Sequence, residues 1–364
     1  MIQNMSRAWG GNEKWLSLLA IGLVARGHDV MVSCPRGPVR QRLLNMGVSV
    51  TAFRPRGVID PVSGISFGLW LRRHSPDALL ITSWHSIVWS TVAARIGGVR
   101  RVVMRLGIVR SAPANGARAR AIRRNVDALI VNSREIREVW LASAPVRPDS
   151  VHIVLNAVTS RIDRRAESRR ALRRELAIDD DETLLVGSAG NLFERKGFDL
   201  LVRAFAMACP DNAVLVIIGT GEALDPLRNL AAELGIASRI RWLGHRTDAP
   251  ELIAGLDLFV LSSRNEGMAN VMLEAMAGGT PVIASDISGV QTALGATVDR
   301  PAAGVIVQSD DTAALGTAIA TATLAVRSKD GDMQMRAAEA HWRIEHWFGL
   351  ERMIDECESI LFDD

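Results

Sequence analysis

Two glutamates with seven residues between them, Glu266 and Glu274, lie in a stretch that states what they could do: Ser263-Arg264-Asn265-Glu266-Gly267-Met268-Ala269-Asn270-Val271-Met272-Leu273-Glu274. Leu258 to Leu261, just before it, is a short apolar run suited to a buried parallel strand. A polar loop follows, Asn270 suits an N-cap for a helix beginning at Val271, and Gly278-Gly279 ends that helix before a strand at Pro281 to Ala284. Open α/β sheets bind ligands where a strand end meets a helix N-terminus. The backbone N–H groups of Gly267, Met268, Ala269, Asn270 and Val271 are therefore placed to hold an anion, and the two carboxylates to accept from sugar hydroxyls. A second candidate lies upstream. After a predicted strand at Thr183–Ser188, the segment Gly190-Asn191-Leu192-Phe193-Glu194-Arg195-Lys196-Gly197 sets two cations ahead of a helix, well placed for a diphosphate. Gly10-Gly11 precedes a helical pattern over Trp15–Ala25 and offers bare amides to a phosphate.

The stretch from Ser263 to Ala284 resembles the retaining glycosyltransferases of family 4. Their signature of two glutamates separated by seven residues is present as Glu266 and Glu274. The resemblance covers nearly the whole chain and is most specific from Gly190 to Gly289. It implies a GT-B fold: two Rossmann-like parallel-sheet domains facing a central cleft, with a C-terminal helix crossing back to the first domain. It also implies that Glu266 contacts the transferred sugar and Glu274 the ribose, and that Lys196 holds the diphosphate. Arg195 would stand in for the family's arginine at the position of Asn191. Gly10 and Gly11 match the family's glycine loop, the surroundings of Arg246 line the nucleotide base mostly through backbone, and no metal or other cofactor is required.

Composition sets the bounds. With 364 residues, 48% hydrophobic and 23% charged, the chain is an ordinary globular protein of two domains. It opens without a signal peptide's basic region and apolar core, and its apolar runs are too short to span a bilayer. Cys34, Cys209 and Cys357 lack metal-ligand spacing and suit a reducing compartment as small core residues. Residues 1–178 hold 29 Lys/Arg and 11 Asp/Glu, whereas 179–364 hold 14 and 29. That asymmetry predicts an anionic surface as partner for the first half. No recognised nucleic-acid module accompanies the charge.

In the first half, strands are predicted at Asp29–Ser33, Val48–Ala52, Ala78–Thr82, Arg101–Met104, Ala128–Val131 and His152–Leu155. The alternating helices fit Leu43–Met46, Phe67–His74, Ile87–Ile96, Arg118–Arg124 and Glu135–Ala142, the last opened by an Asn132-x-x-Glu135 capping box. His85, just past a strand, is a candidate for hydrogen bonding substrate oxygens, with packing beside Trp84 as its alternative. Arg105 stands near where many family members have a functional histidine, and could bind an anionic group instead. Arg118, Arg120, Arg123 and Arg124 form a basic segment, either a solvated helix face or a contact for anionic lipid or a phosphorylated acceptor. The expected domains are 1–158, a linker over 159–182, 183–340, and a crossover helix over 341–364. Only Met1-Ile2 is left of the apolar strand that should precede Gly10, so the first strand is expected to be missing and the start truncated or misassigned. Asp179-Asp180-Asp181 is a solvated linker run rather than a metal site.

The expected activity is transfer of a sugar from a nucleoside-diphosphate donor, UDP-sugar favoured over GDP-mannose, to a lipid-linked or cell-envelope glycan. Glu266, Lys196, Arg195 and His85 would be the catalytic groups, at a cytoplasmic location peripheral to the membrane. Two alternatives remain: a sugar-nucleotide epimerase on the same architecture, and a non-catalytic partner in glycan assembly.

Overall fold

Short, mostly apolar runs alternate with helices along the chain, and each half closes them into one parallel sheet. The computed structural model describes residues 1–6, 9–52, 61–111, 113, 115–143, 146–208, 210–328 and 331–362. Cys209 and part of the loop Ile108 to Gly116 lie outside these residues. The chain divides into one unit made of 1–156 with 350–364, and a second made of 157–349.

The first unit contains strands β1 (Ile2–Gln3), β2 (Met31–Cys34), β3 (Ser49–Ala52), β4 (Ala78–Ile81), β5 (Arg101–Leu106), β6 (Ala128–Val131) and β7 (Val151–Ile153). They run parallel in the order β3-β2-β1-β4-β5-β6-β7. Its helices are α1 (Gly11–Ala25), α2 (Pro38–Asn45), α3 (Pro61–His74), α4 (Ile87–Gly97), α5 (Gly116–Asn125), α6 (Arg134–Ser143) and, from the far end of the chain, α15 (Leu350–Phe362).

The first strand is therefore present, contrary to expectation. Ile2 registers with Val32 on one side and Leu80 on the other, and the ladder extends through Asn4 N–H to the Ser33 carbonyl at 2.9 Å. Two neighbours supply the pairing, so a strand too short to read as apolar still holds the centre of the sheet. Gln3 and Asn4 are buried there in spite of their polarity. The α6 cap also differs from the predicted box: the Ile136 N–H donates to Ser133 Oγ at 3.2 Å, while Asn132 turns toward Asn156.

Helices α3 and α4 lie side by side at close range because Gly64 and Gly68 face the partner. A Cβ at Gly64 would stand 2.6 Å from the Trp89 ring, and one at Gly68 2.7 Å from Ile96.

The second unit contains β8 (Leu184–Ala189), β9 (Ala213–Ile218), β10 (Ile240–Gly244), β11 (Leu258–Leu261), β12 (Val282–Ser285) and β13 (Val305–Val307), parallel in the order β10-β9-β8-β11-β12-β13. Helices α7 (Arg165–Glu175), α8 (Phe198–Ala208), α9 (Leu224–Glu233), α10 (Ala249–Ala254), α11 (Asn270–Ala277), α12 (Val290–Leu294), α13 (Thr312–Ser328) and α14 (Asp332–Trp347) cover it. Its core gathers Val186, Leu215, Val260 and Ile283 from the strands with Phe205 and Ile319 from helices.

The predicted linker is instead built into this unit. Arg165 of α7 donates to the Ala254 carbonyl (3.0 Å) and Thr280 Oγ1 (2.7 Å), Arg161 pairs with Glu251 (2.6 Å), and Arg169 pairs with Asp257. Asp180 caps its own turn by accepting from the Thr183 N–H at 2.6 Å. The predicted terminal helix is two, broken at Phe348-Gly349, with α14 in the second unit and α15 in the first.

This changes the charge map. Sorted by unit, 23 Lys/Arg stand against 14 Asp/Glu in the first and 20 against 26 in the second. The arginines of α7 hold the second unit together, and the acidic α15 offsets the first. Among the described residues no helix is long and apolar enough to cross a membrane.

Candidate active site

Both sheets have the order 3-2-1-4-5-6 from one edge, so each has a point where the strand order reverses, between β1 and β4 and between β8 and β11. Loops leaving the carboxyl ends of those two strands diverge to opposite faces and open a crevice.

In the second unit, the loop after β8 carries Gly190, Asn191 and the 3-10 turn Glu194–Lys196, and the loop after β11 runs from Ser262 to α11. The two loops touch because Gly197 has φ +62 and no side chain; a Cβ there would stand 2.0 Å from the Ser262 carbonyl oxygen. At this contact Lys196 Nζ forms an ion pair with Glu266 Oε1. Arg195 Nη1 lies 3.6 Å from Glu266 Oε2, and Ser263 Oγ donates to Glu266 at 3.3 Å. Lys196 and Glu266 are mostly buried, whereas Arg195 is 41% exposed at its side chain. Two cations thus face one carboxylate, leaving one positive charge over for an anion.

Gly190 adjoins the same cation, since a Cβ on it would lie 3.9 Å from Lys196 Cε. Glu274 is buried within α11, and Met268 and Ala269 are buried in the loop before it. Helix α11 starts at Asn270 itself, with Ala269 as the cap residue and no side-chain cap bond, one residue earlier than predicted.

Arg264 is a residue that sequence reasoning missed. Its backbone N–H donates to the Arg195 carbonyl (2.8 Å) and its Nη1 to the Glu194 carbonyl (2.8 Å). The guanidinium forks onto Asp199 at 2.8 and 2.7 Å and reaches Asp310 at 2.8 Å. It fastens the cation loop to the glutamate loop. Burial would raise the Asp199 carboxyl, but Arg264 outweighs it and holds the group below its ordinary value. No local pattern marks Arg264, because its partners come from two distant segments.

Asn191 is exposed, and its carbonyl accepts from the Phe193 N–H at 2.8 Å. Arg246 spends its guanidinium on Asp248 (2.8 and 2.7 Å) and on Glu175.

In the first unit the crevice is built differently. Gly10 caps α1, with the Lys14 N–H bonded to its carbonyl at 3.0 Å. Beneath Gly10 and Gly11 lies a buried polar network. Asn4 and Asn12 both donate to Glu13 Oε1, at 3.1 and 3.2 Å, and Arg105 donates to Asn12 Oδ1 at 2.7 Å and Asn156 Oδ1 at 3.1 Å. The Arg105 guanidinium stacks 4.0 Å from the centre of the Trp15 ring. It is an interior group rather than a surface contact, and burial pushes its pKa down to about 10.

His85 is exposed in a 3-10 turn after β4. Beside it Arg110 and Arg118 both lie over the Trp84 ring, 5.1 and 5.6 Å from its centre. Arg110 was not singled out from the sequence. The basic segment is not one patch: Arg118 sits at the Trp84 end of α5, while Arg124, near the helix's other end, lines a separate hollow with Arg95 and Arg100. A ten-residue helix is about 15 Å long, which separates its ends.

Comparison with known proteins follows the same division. Residues 168–336 match the sequence model of the glycosyl transferases group 1, and residues 9–161 that of glycosyltransferase family 4. The lipopolysaccharide core biosynthesis glycosyltransferase LpsE of Rhizobium meliloti is 40% identical over 107 residues, 29% of this chain and 31% of that protein. A D-inositol 3-phosphate glycosyltransferase of Stackebrandtia nassauensis is 34% identical over 181 residues, 46% of this chain and 40% of its own. The matched stretches span less than half the length of these curated relatives. Among solved structures, Anabaena HepE in complex with UDP and glucose has a TM-score of 0.84 at 19% identity, over 98% of this chain and 97% of its own. WaaG, a glycosyltransferase involved in lipopolysaccharide biosynthesis, has 0.73 at 17% identity over all of both chains. These two show the fold, which is GT-B.

Proposed function

We propose that this chain, which belongs to the group 1, family 4 glycosyltransferases, moves a hexose from a nucleoside-diphosphate donor to a glycan hydroxyl with retained anomeric configuration. The observation that carries this reading is the meeting of Lys196, Arg195 and Glu266 at the strand-order reversal of the second sheet. As the bond from the anomeric carbon to the β-phosphate oxygen breaks, its electron pair stays on the leaving diphosphate. Lys196 and Arg195 stabilise that charge, a contribution of about 3 kcal/mol for a well-placed donor. The acceptor oxygen bonds to the anomeric carbon on the face being vacated, and its proton passes to the leaving phosphate oxygen. Glu266, already bonded to Lys196, orients the sugar, and Glu274 takes the ribose hydroxyls. In the first unit, His85 and the amides of Gly10 and Gly11 serve the substrates.

A UDP-sugar is the favoured donor, with GDP-mannose as the alternative, because the HepE neighbour was solved with UDP and glucose. The acceptor in this reading is a lipid-linked or cell-envelope glycan, supported by the lipopolysaccharide biosynthesis in which LpsE and WaaG are named. Incubation with UDP- and GDP-sugar panels should release nucleotide with one donor and give an axial-to-axial or equatorial-to-equatorial product by NMR. An inverted product or an epimerised donor would refute the reading. Asn191, exposed at the family's arginine position, favours a second reading as a non-catalytic partner, which no release from any donor would support.

A further inference from the structure

We propose that the first unit rests on an anionic bilayer through the outer face of α3 and the arginine-lined hollow beside it, at the amino-terminal edge of its sheet. Helix α3 is apolar on two sides. Its inner side buries Phe67 and Leu71 and, through Gly64 and Gly68, presses against α4. Its outer side carries Val62, Ile65 and Leu69, 70%, 50% and 51% exposed. At about 100° per residue these three fall within a roughly 60° arc, and Arg73, one turn beyond Leu69, extends it to about 80°. An apolar stripe ending in a cation is the pattern of a helix lying in a membrane interface.

The neighbouring end of α4 supplies the charge. A Cβ on Gly97, at the close of α4, would stand 2.6 Å from Leu71 and 3.4 Å from the backbone nitrogen of Arg72, so the last turns of the two helices adjoin. There a polar hollow of about 520 Å³ is lined by Arg95, Arg100 and Arg124. All three are exposed, and none makes an ion pair among the described residues. The one carboxylate in the hollow, Asp127, accepts from the Val102 N–H at 2.7 Å. Three guanidinium groups against one engaged carboxylate suit a lipid phosphate headgroup, with the α3 stripe among the acyl chains beside it.

A second copy of the chain fits less well, since a two-fold contact through the α3 stripe would cover the apolar residues but bring no anion to the arginines of the hollow. The placement also leaves the opposite edge of the sheet, with Gly10, Gly11 and His85, clear of the membrane. It differs from the contact expected over Arg118 to Arg124, of which only Arg124 belongs to this face. The proposal refines the lipid-linked acceptor reading but can fail without it, because nucleotide release needs no vesicles.

Flotation of the full chain with phosphatidylcholine vesicles, with and without phosphatidylglycerol, tests it. Binding should appear only with phosphatidylglycerol and fall with salt. Arg95→Ser/Arg100→Ser should weaken it about 25-fold, at about fivefold per arginine. Ile65→Ser/Leu69→Ser should weaken it at least about tenfold. Both variants should keep the wild-type thermal transition of the first unit, which shows that they are folded. Absence of flotation, or flotation that either variant retains in full, overturns the proposal. So does a dimer seen by light scattering that Ile65→Ser/Leu69→Ser splits, or saturable binding of inorganic phosphate that Arg95→Ser/Arg100→Ser abolishes without any vesicle binding.

Discussion

The two sheets share a strand order, yet cations are installed at their reversal points in opposite ways. In the second unit Lys196 and Arg195 meet a single carboxylate, and Arg195, the exposed one of the two, carries the excess charge outward. In the first, Arg105 is interior, held by neutral amide oxygens and the Trp15 ring. A cation near the surface can exchange its partner for a ligand at little cost. A buried one cannot be left unpaired, and its work is to fix Asn12 under the glycine loop. The same fold therefore provides an exchangeable charged cluster in one unit and a rigid support in the other.

The sharpest test of that contrast is Lys196→Ala, which should lower turnover by about 100- to 1,000-fold at a smaller stability cost than the loss of Arg105, because Arg195 remains beside Glu266. Nucleotide release kinetics and calorimetry on the same preparation check both halves. Arg105→Leu should do the reverse, removing the guanidinium that donates to Asn12 Oδ1 and Asn156 Oδ1. A loss of about 2–3 kcal/mol, or about 5–10 °C in the first unit's transition, is expected, with a smaller loss of turnover. An Arg105→Leu protein of unchanged Tm and abolished turnover would break the comparison.

Acid should act on the second unit through Asp199. Its folded pKa is lowered, so its pairing with Arg264 stabilises the fold above the ordinary carboxylate range and the contribution is lost as pH falls through the folded value. Asp199→Asn should flatten the stability loss below about pH 5, measured by denaturant titration across pH. The smallest effect concerns Cys357, whose thiol burial pushes up to about 12. Iodoacetamide at pH 8 should leave it unmodified in the folded protein and alkylate it after denaturation, as peptide mass mapping would show.

Elements with a strong local signature were legible in the sequence. Ala128–Val131 and Leu258–Leu261 have the predicted bounds, because four consecutive apolar residues between polar loops admit little else. The Lys196–Glu266 meeting was legible through the resemblance, not through spacing, since 70 residues separate the partners. What could not be read depends on neighbours in space. Strand β1 exists because β2 and β4 flank it, and the α7 arginines are structural because Asp257, Thr280 and backbone carbonyls await them. Arg105 looks like any arginine after a strand, and nothing local says that Trp15 and two asparagines enclose it. Helix α3 was shortened to Phe67–His74 because its first turn mixes glycine, serine and aliphatic residues without a polar face.

Helix α15 completes the first unit, where Arg26 of the α1 C-terminus reaches Glu351, Asp355 and Glu358 at 2.9, 2.6 and 2.5 Å. During synthesis the residues for the second sheet are all available before that helix is made. The amino-terminal sheet must then wait on the ribosome for its final piece, although it is translated first. A premature stop near residue 350 would leave the later sheet whole and expose a flank of the earlier one to chaperones and proteases.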